Sequence, residues 1–479
     1  MNLEDLKNKK VAVLGLSVEG LSTAKFLMRN QINFTVLDKK EFSQMDEFDQ
    51  KFLESSKIET KLGVSYLRDL KTFQIIFRSP GFPLWHPKLL ESQKEGTVIT
   101  SQTKLFFDLC PCPVIGVTGT KGKGTTASLL YEMLKESGKD VFLAGNIGVP
   151  PLDFLETLKV TSTVVLELSS FQLEDLKKSP SVAVVLMSTQ DHLASQAGDS
   201  PNYHRSVDEY LQAKMNIVRF QKASDSALIN YDFVSSRDFS LESKARIFYF
   251  SLKEEFEDGA FLLGDDLVVR LSRKTERIAC RSEVFLRGEH NLQNILAASL
   301  AALISGAKLE AIQKVIKIFK GLEHRLEFVS EVKGVKYYDD SFSTTPETAI
   351  AAIKSFSEPL IVILGGSEKG SDYTELGRTI IEAENIKAVI LIGRTALKIK
   401  ESLRQGLIGL DPLRGSNPFG DKVLKIVEGL SSMEEVVERA FKLGRSGDVV
   451  LLSPACASFD MFKNYKDRGN QFKGEVGRL

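Results

Sequence analysis

Short β-branched apolar runs alternate along this chain with longer stretches in which apolar residues recur every three to four positions. The first such pair is KKVAVLGLSVEGLSTAKFLMRN, where the run Val11–Leu14 ends at a glycine and helical spacing follows. A second run, FTVLDKK, reaches Asp38. That is a βαβ unit, whose parallel strands leave a ligand crevice at their carboxyl ends. IIFRSPGFPL repeats the strand-then-turn pattern, and VITSQTKLFF leads into a new region near residue 102.

The second region opens with CPVIGVTGTKGKGTT, a strand feeding a glycine-rich loop, and continues into the helical ASLLYEMLKESG. VFLAGN, STVVLELSS and SVAVVLMSTQDH are continuous apolar runs, the pattern of strands buried on both faces of a parallel sheet. A helix around DEYLQAKMNIVRF, the strand ALINYD and less regular β segments follow, and GEHNLQNILAASLAALISG reads as a long helix. From GLEHRLE onward, VKYYDDS, PLIVILGGSEKG, AVILIGRT and DVVLLSPACASFD are strand-to-loop transitions separated by helices. The expected fold is α/β, with three domains in series at residues 1–101, 102–321 and 322–479. The first and third are expected to be Rossmann-like, and the central one a P-loop-type parallel sheet.

Length agrees, since 479 residues suggest about three domains. Lys+Arg and Asp+Glu balance at 63 each, so composition gives no sign of a nucleic-acid groove or a polybasic membrane surface. The four cysteines are too scattered for a disulfide framework, and Cys110-Pro-Cys112 lacks metal-ligand spacing. Reduced thiols, no apolar signal-peptide core and no apolar run of about 20 residues make a cytoplasmic protein without membrane insertion the expectation.

The loop TGTKGKGTT is the first candidate for chemistry. Gly119, Gly122 and Lys123 stand where a phosphate-binding loop wants them. Backbone N–H groups can then approach phosphate, and the following helix presents its positive end. Two positions depart: Val117 occupies the first glycine position, and Gly124 stands where Ser or Thr would meet Mg²⁺. A glycine-rich turn with a surface lysine is the alternative. Glu167 in VVLELSS and His192 in STQDH leave the ends of buried runs and point to the same crevice. A carboxylate and an imidazole there could hold Mg²⁺ between ATP and an acceptor; a hydrogen-bonded turn histidine is the other reading of His192.

TGTKGKGTT, AGNIGVPPL, LELSSFQLE, DHL, YLQAKMNI, GEHNLQN, GLEHRLE, DDS, GGSEKG and LLSPACASFDMFKNYKDRGNQFK occur in this order. Together they resemble the Mur ligase family, ATP-dependent amino-acid ligases of the peptidoglycan peptide stem, over essentially the whole chain. The last segment resembles the D-glutamate-adding branch. The resemblance implies an ATP-dependent ligase joining D-glutamate to UDP-N-acetylmuramoyl-L-alanine through an acyl phosphate, with ATP and two Mg²⁺ sites. A monomer is expected.

By that resemblance Gly119, Thr120, Lys121, Gly122 and Lys123, continuing through Gly124 and Thr125, bind the ATP phosphates. Glu167 and His192 serve Mg²⁺, and His192 is also a candidate acceptor of the amine proton. Lys214 matches a lysine that the family converts to a carbamate, an anionic oxygen ligand for the second ion; on local sequence alone it reads as a helix-surface lysine. Thr125 is expected to replace the hydroxyl missing at Gly124. Asn291 and Asn294 match residues beside adenine, while Arg325 and Asp340 match groups at phosphate and ribose. Ser17, Val18, Glu19 and Gly20 would lie at the UDP diphosphate, and Asp38, Lys39, Ser79 and Gly81 near uridine. Asn146, Ser169, Gln172 and His192 would face the muramoyl-alanine end.

For D-glutamate the resemblance points to Thr344, Lys369, Ser458, Phe459 and Tyr465. Two departures stand here. The branch pattern D-S-K-A-T-N reads Asp340-Ser341-Phe342-Ser343-Thr344-Thr345, so Phe342 replaces a cation. Ala194 replaces an acidic residue, and QAGDSPNYHRS is longer than the usual turn. The rival readings are a related ligase adding another amino acid or extending folate with glutamate, a nucleotide-binding homologue without catalysis, and a dinucleotide oxidoreductase, which leaves the lysine loop unexplained.

Overall fold

Three sheets, mostly parallel, carry the chain. A computed structural model describes residues 1–189, 202–368, 370–408 and 424–479. The first sheet is wholly parallel, in the order β3 (Glu59–Leu62), β2 (Phe34–Asp38), β1 (Val11–Leu14), β4 (Ile75–Arg78) and β5 (Val98–Thr100). The order reverses between β1 and β4, which opens a crevice beyond their carboxyl ends.

Among the described residues the central sheet has nine strands: β6 (Val114–Thr118), β7 (Val141–Gly145), β8 (Thr163–Glu167), β9 (Val182–Val185), β10 (Ser226–Asn230), β11 (Arg246–Ser251), β12 (Gly259–Leu263), β13 (Asp266–Leu271) and β14 (Lys274–Cys280). Their order is β14-β13-β12-β11-β10-β9-β6-β8-β7. Strand β6 lies between β8 and β9 and is parallel to both, so the glycine loop leaves the sheet at its own reversal point. The less regular segments resolve into β11, parallel to β10 and β12, and the antiparallel run β12–β14.

These two sheets belong to one compact unit, Met1–Glu283 with Gln293–Lys317. They share a core in which Phe26, Leu105 and Phe106 pack in one cluster with Leu152, Leu166 and Leu173. The helix Gln102–Leu109 supplies Leu105 and Phe106 to it, and its Ser101 cap accepts from the Lys104 N–H. Apolar faces on both sides of the expected boundary bury one another; strand and helix periodicity carries no information about that pairing.

The second unit is Val284–Leu292 with Ile318–Leu479. Its sheet runs β15 (Glu327–Val332), β16 (Val335–Asp339), β20 (Val449–Leu452), β17 (Leu360–Gly365), β18 (Ile386–Ile392) and β19 (Lys425–Val427). Among the described residues of this sheet, only the β15–β16 hairpin is antiparallel. LIVILG of β17 and VVLL of β20 are buried throughout, as strands covered on both faces must be.

Candidate active site

The loop after β6 is built for close approach. Gly122 caps the helix Lys123–Glu136 at φ +86°, and a Cβ there would lie 2.3 Å from Asn294 Oδ1. The Thr120 N–H donates to Met187 O at 2.7 Å and its hydroxyl to Thr189 O at 2.8 Å, tying the loop to the end of β9. Lys123 folds back, donating to Gly119 O at 2.9 Å and Thr120 O at 3.1 Å.

Lys214 reaches the same place from the helix Val207–Arg219. It is buried, donates to Gly119 O at 2.9 Å and lies 4.8 Å from the Tyr210 ring centroid. The surface reading of this lysine is therefore wrong. Tyr210, Ile217 and Val218 on the same helix are also buried, and their helical spacing puts Lys214 on the inward face. Glu167 ends β8 in register with Val117 of β6 and is buried as well. His192 lies outside the described residues, as does Ala194.

Which threonine keeps its hydroxyl for a ligand is partly answered by packing. Thr126 is fully buried and donates to Asn294 Oδ1 at 3.2 Å. Asn294 thus braces the start of the phosphate-loop helix, a contact the adenine expectation did not contain. Thr125 keeps a small exposed surface, and Gly124 beside it is buried. Carboxylate and hydroxyl oxygens at Glu167 and Thr125 are donors of the kind a hard cation takes. Lys214 as an ammonium is not such a donor, and it fits a metal only as a carbamate.

At the reversal point of the first sheet, Ser79 donates to Gly15 O at 2.6 Å, and Ser17 donates to Ser79 Oγ at 3.3 Å. Gly20 is required by contact, since a Cβ there would sit 1.9 Å from Gly15 O. Val18, Lys39, Gly81 and Asn146 are exposed, and Asn146 follows the Gly145 that pairs with Glu167. Asp38 holds the β1 loop: its two oxygens accept from the Leu16 N–H at 2.6 Å and the Lys40 N–H at 2.8 Å.

Gln172, expected to face the muramoyl-alanine end, is tied to its own turn and to the first sheet's helix. Its oxygen accepts from the Ser169 N–H at 2.8 Å, and its amide donates to Glu19 Oε1 at 2.6 Å. Burial pushes the Glu19 carboxyl up to about 7, opposed by that hydrogen bond and by Arg78.

In the second unit Arg325 lies over Phe342, its guanidinium carbon 3.8 Å from the ring centroid. Tyr465 meets the same ring edge-on at 5.0 Å. Asp340, expected at ribose, is buried, accepts from the Leu326 N–H at 3.1 Å and from Ser453 Oγ at 2.7 Å, and burial pushes it up to about 7. Each of its oxygens accepts one hydrogen bond from within this unit. Ser458 is buried, Thr344 half-buried and Phe459 exposed, with the Phe459 N–H donating to Ser367 Oγ at 3.2 Å. Lys369 lies outside the described residues.

Arg468 had been assigned no role. It is fully buried and donates to Ser341 Oγ and O at 2.9 Å each and to Cys456 O at 3.1 Å, stitching the DDS turn to the C-terminal segment. A signal existed: Arg468, Phe472 and Val476 share one helical face, and all three are buried. His324, Glu327 and Asp339 bring ligand atoms within 4.8 Å of one another. Protein hydrogen bonds account for that group, with His324 Nδ1 2.7 Å from Asp339 Oδ2 and Lys473 donating to Glu327 at 3.2 Å.

A glycine loop at the reversal point of a parallel sheet, with two lysines at its base, is the geometry of an α/β nucleotide-loop protein. Three family models match the chain: "Mur ligase MurD-like, N-terminal domain" over residues 9–101, "Mur ligase middle domain" over 117–302 and "Mur ligase, glutamate ligase domain" over 324–456. The chain belongs to the Mur ligase family of ATP-dependent amide-forming ligases. A UDP-N-acetylmuramoylalanine–D-glutamate ligase of Acetivibrio thermocellus is 42% identical over 474 residues, covering 99% of this chain and 97% of that protein. The Clostridium tetani protein of the same name is 37% identical, covering 98% and 97%.

Among solved structures, UDP-N-acetylmuramate-alanine ligase of Thermotoga maritima aligns with a TM-score of 0.56 at 15% identity, covering 98% of this chain and 100% of that one. The MurF ligase of Thermotoga maritima in complex with ADP aligns at 0.54 and 17%, covering 100% and 97%. At such identities the likeness is one of fold. Among the described residues, no helix is long and apolar enough to cross a membrane.

Proposed function

We propose that this protein joins D-glutamate to the alanine carboxylate of UDP-N-acetylmuramoyl-L-alanine, using ATP. The observation that carries the reading is the convergence of Lys123 and Lys214 on one carbonyl, Gly119 O, each at 2.9 Å. Lys123 at the base of a loop of backbone donors suits a polyphosphate, and Lys214 beside it suits a metal ion once it is a carbamate. The full-length similarity to proteins named as D-glutamate ligases selects the acceptor and the amino acid.

The alanine carboxylate takes the terminal phosphoryl group of ATP, giving an acyl phosphate and ADP. The amine of D-glutamate attacks the activated carbonyl, and inorganic phosphate leaves with the amide formed. Lys123 and the loop N–H groups hold the phosphates in line and offset their developing charge. Glu167, Thr125, His192 and a carbamylated Lys214 would hold Mg²⁺, two ions in all, which when bound neutralise phosphate charge. Ser17, Ser79 and the helix start at Val18 orient the UDP end. Arg325 serves the phosphates, and Tyr465, Ser458, Thr344 and Lys369 serve D-glutamate. The enzyme acts in this reading as a cytoplasmic monomer.

ADP release measured with UDP-N-acetylmuramoyl-L-alanine and a panel of amino acids tests it. D-glutamate should support turnover, and L-alanine, L-lysine and meso-diaminopimelate should not. Turnover with one of those instead would assign the chain to another ligase, and UDP-sugar binding without ADP formation would make it a non-catalytic homologue.

A further inference from the structure

We propose that Cys110 and Cys112 form a redox-modification site: a dithiol that a small-molecule disulfide converts reversibly into an intrachain disulfide. The proposal is independent of the ligase reading above.

The two sulfurs are already neighbours. Cys110 Sγ lies 3.6 Å from Cys112 Sγ and 3.5 Å from Cys112 O. A disulfide needs about 2.05 Å between sulfurs, so roughly 1.5 Å remains to be closed. One residue separates the cysteines, and it is Pro111, whose ring fixes its own φ. Cys110 has the extended backbone that a following proline favours, at φ −63° and ψ 121°. Much of the entropy lost in bringing two thiols together is therefore lost before the bond forms.

Their place in the fold holds the pair while leaving it within reach. Cys110 ends the helix Gln102–Leu109 and Cys112 precedes β6, so both lie on the covalent link between the first and central sheets. Both are half-buried against the core that those sheets share, while Pro111 and Pro113 are exposed. The other two cysteines sit against oxygen. Cys456 is buried with Tyr373 Oη and Thr395 Oγ1 each 3.1 Å away, and Cys280 Sγ takes the Ser282 hydroxyl at 3.2 Å.

Burial raises both thiols, Cys112 to about 12, where Cys110 and Asp140 also oppose its ionisation. The contact between the sulfurs acts in opposite directions, lowering Cys110 and raising Cys112, so Cys110 loses its proton first. As a thiolate it attacks one sulfur of glutathione disulfide, forming a mixed disulfide and releasing one glutathione thiolate. Cys112 then gives up its proton and attacks Cys110 Sγ, releasing the second glutathione. Two protein thiols are oxidised and one glutathione disulfide is reduced. Raised thiols make this exchange slow, so the pair answers sustained oxidation.

The test equilibrates the full chain in glutathione buffers of graded oxidation, blocks the remaining thiols with N-ethylmaleimide in urea, and weighs the peptides by mass spectrometry. The peptide holding Cys110 and Cys112 should lose the mass of two hydrogens and carry no maleimide, and dithiothreitol should restore both thiols. Cys280 and Cys456 should stay open to the maleimide throughout. The folded chain should close the bond at a glutathione ratio about tenfold more reducing than the same chain equilibrated in urea, because the fold holds the sulfurs together. Cys110→Ser and Cys112→Ser should each abolish the loss of two hydrogens. Maleimide on both cysteines across the whole series overturns the proposal. So does a glutathione held on each sulfur, or closure no easier in the folded chain than in urea.

Discussion

The Gln172 amide donates to the Glu19 carboxylate at 2.6 Å, tying the helix after β1 to the capping turn after β8. The partner carboxyl is one that burial has pushed up to about 7 from 4.5. A carboxyl with a raised folded pKa binds its proton more tightly in the folded state than in the unfolded one. Its contribution to stability is therefore greatest below about pH 4.5 and falls as pH rises through about 7. Glu19→Gln removes that titration. The melting temperature of the variant minus that of the parent should rise between pH 5 and pH 8; a pH-independent difference would contradict it.

The two threonines after Gly124 should separate stability from metal dependence. Thr126→Val removes a buried hydrogen bond to Asn294, which costs about 1 kcal/mol of unfolding free energy. Thr125→Ala should leave stability nearly unchanged and raise the Mg²⁺ concentration needed for half-maximal turnover. Unaltered Mg²⁺ dependence in Thr125→Ala, with activity lost in Lys123→Ala, would show that another oxygen serves the ion.

Gly122→Ala strains a left-handed helix cap and drives a methyl group into Asn294 Oδ1. A cost of about 1 kcal/mol from the backbone alone is expected, with further loss from the contact. Nucleotide affinity should fall with it, because the loop N–H groups move as a set. Denaturant titration and analogue binding read the two effects separately.

Arg468→Met keeps much of the buried volume and removes the donors that hold Ser341, Cys456 and Ala457. Orphaned buried acceptors make a loss of about 3 kcal/mol the expected outcome in urea unfolding. Affinity for D-glutamate should weaken even where the variant is folded, since both segments read as its binding region lose their common anchor.

The order of strands and helices was legible in the chain because buried parallel strands are written as unbroken apolar runs and amphipathic helices as a 3.6-residue repeat. The glycine loop was legible because phosphate chemistry demands glycine and lysine in a fixed local order. Lys214 and Arg468 were legible in principle, each falling on the apolar face of its helix, but a charged residue is easily assigned to the surface.

By itself, then, the sequence determined the three α/β segments, the loop TGTKGKGTT at a strand end and the family resemblance that names most candidate residues. Only the tertiary structure decided how the candidates are used. It joined the first two sheets in one core, tied Gln172, Asp38 and Asp340 to the turns around them, brought Lys214 beside Lys123, and laid Arg325 over Phe342. Apart from the local Asp38–Lys40 and Gln172–Ser169 bonds, these contacts join residues from 14 to 153 positions apart. Local periodicity reports which face of an element is buried, but not what it is buried against.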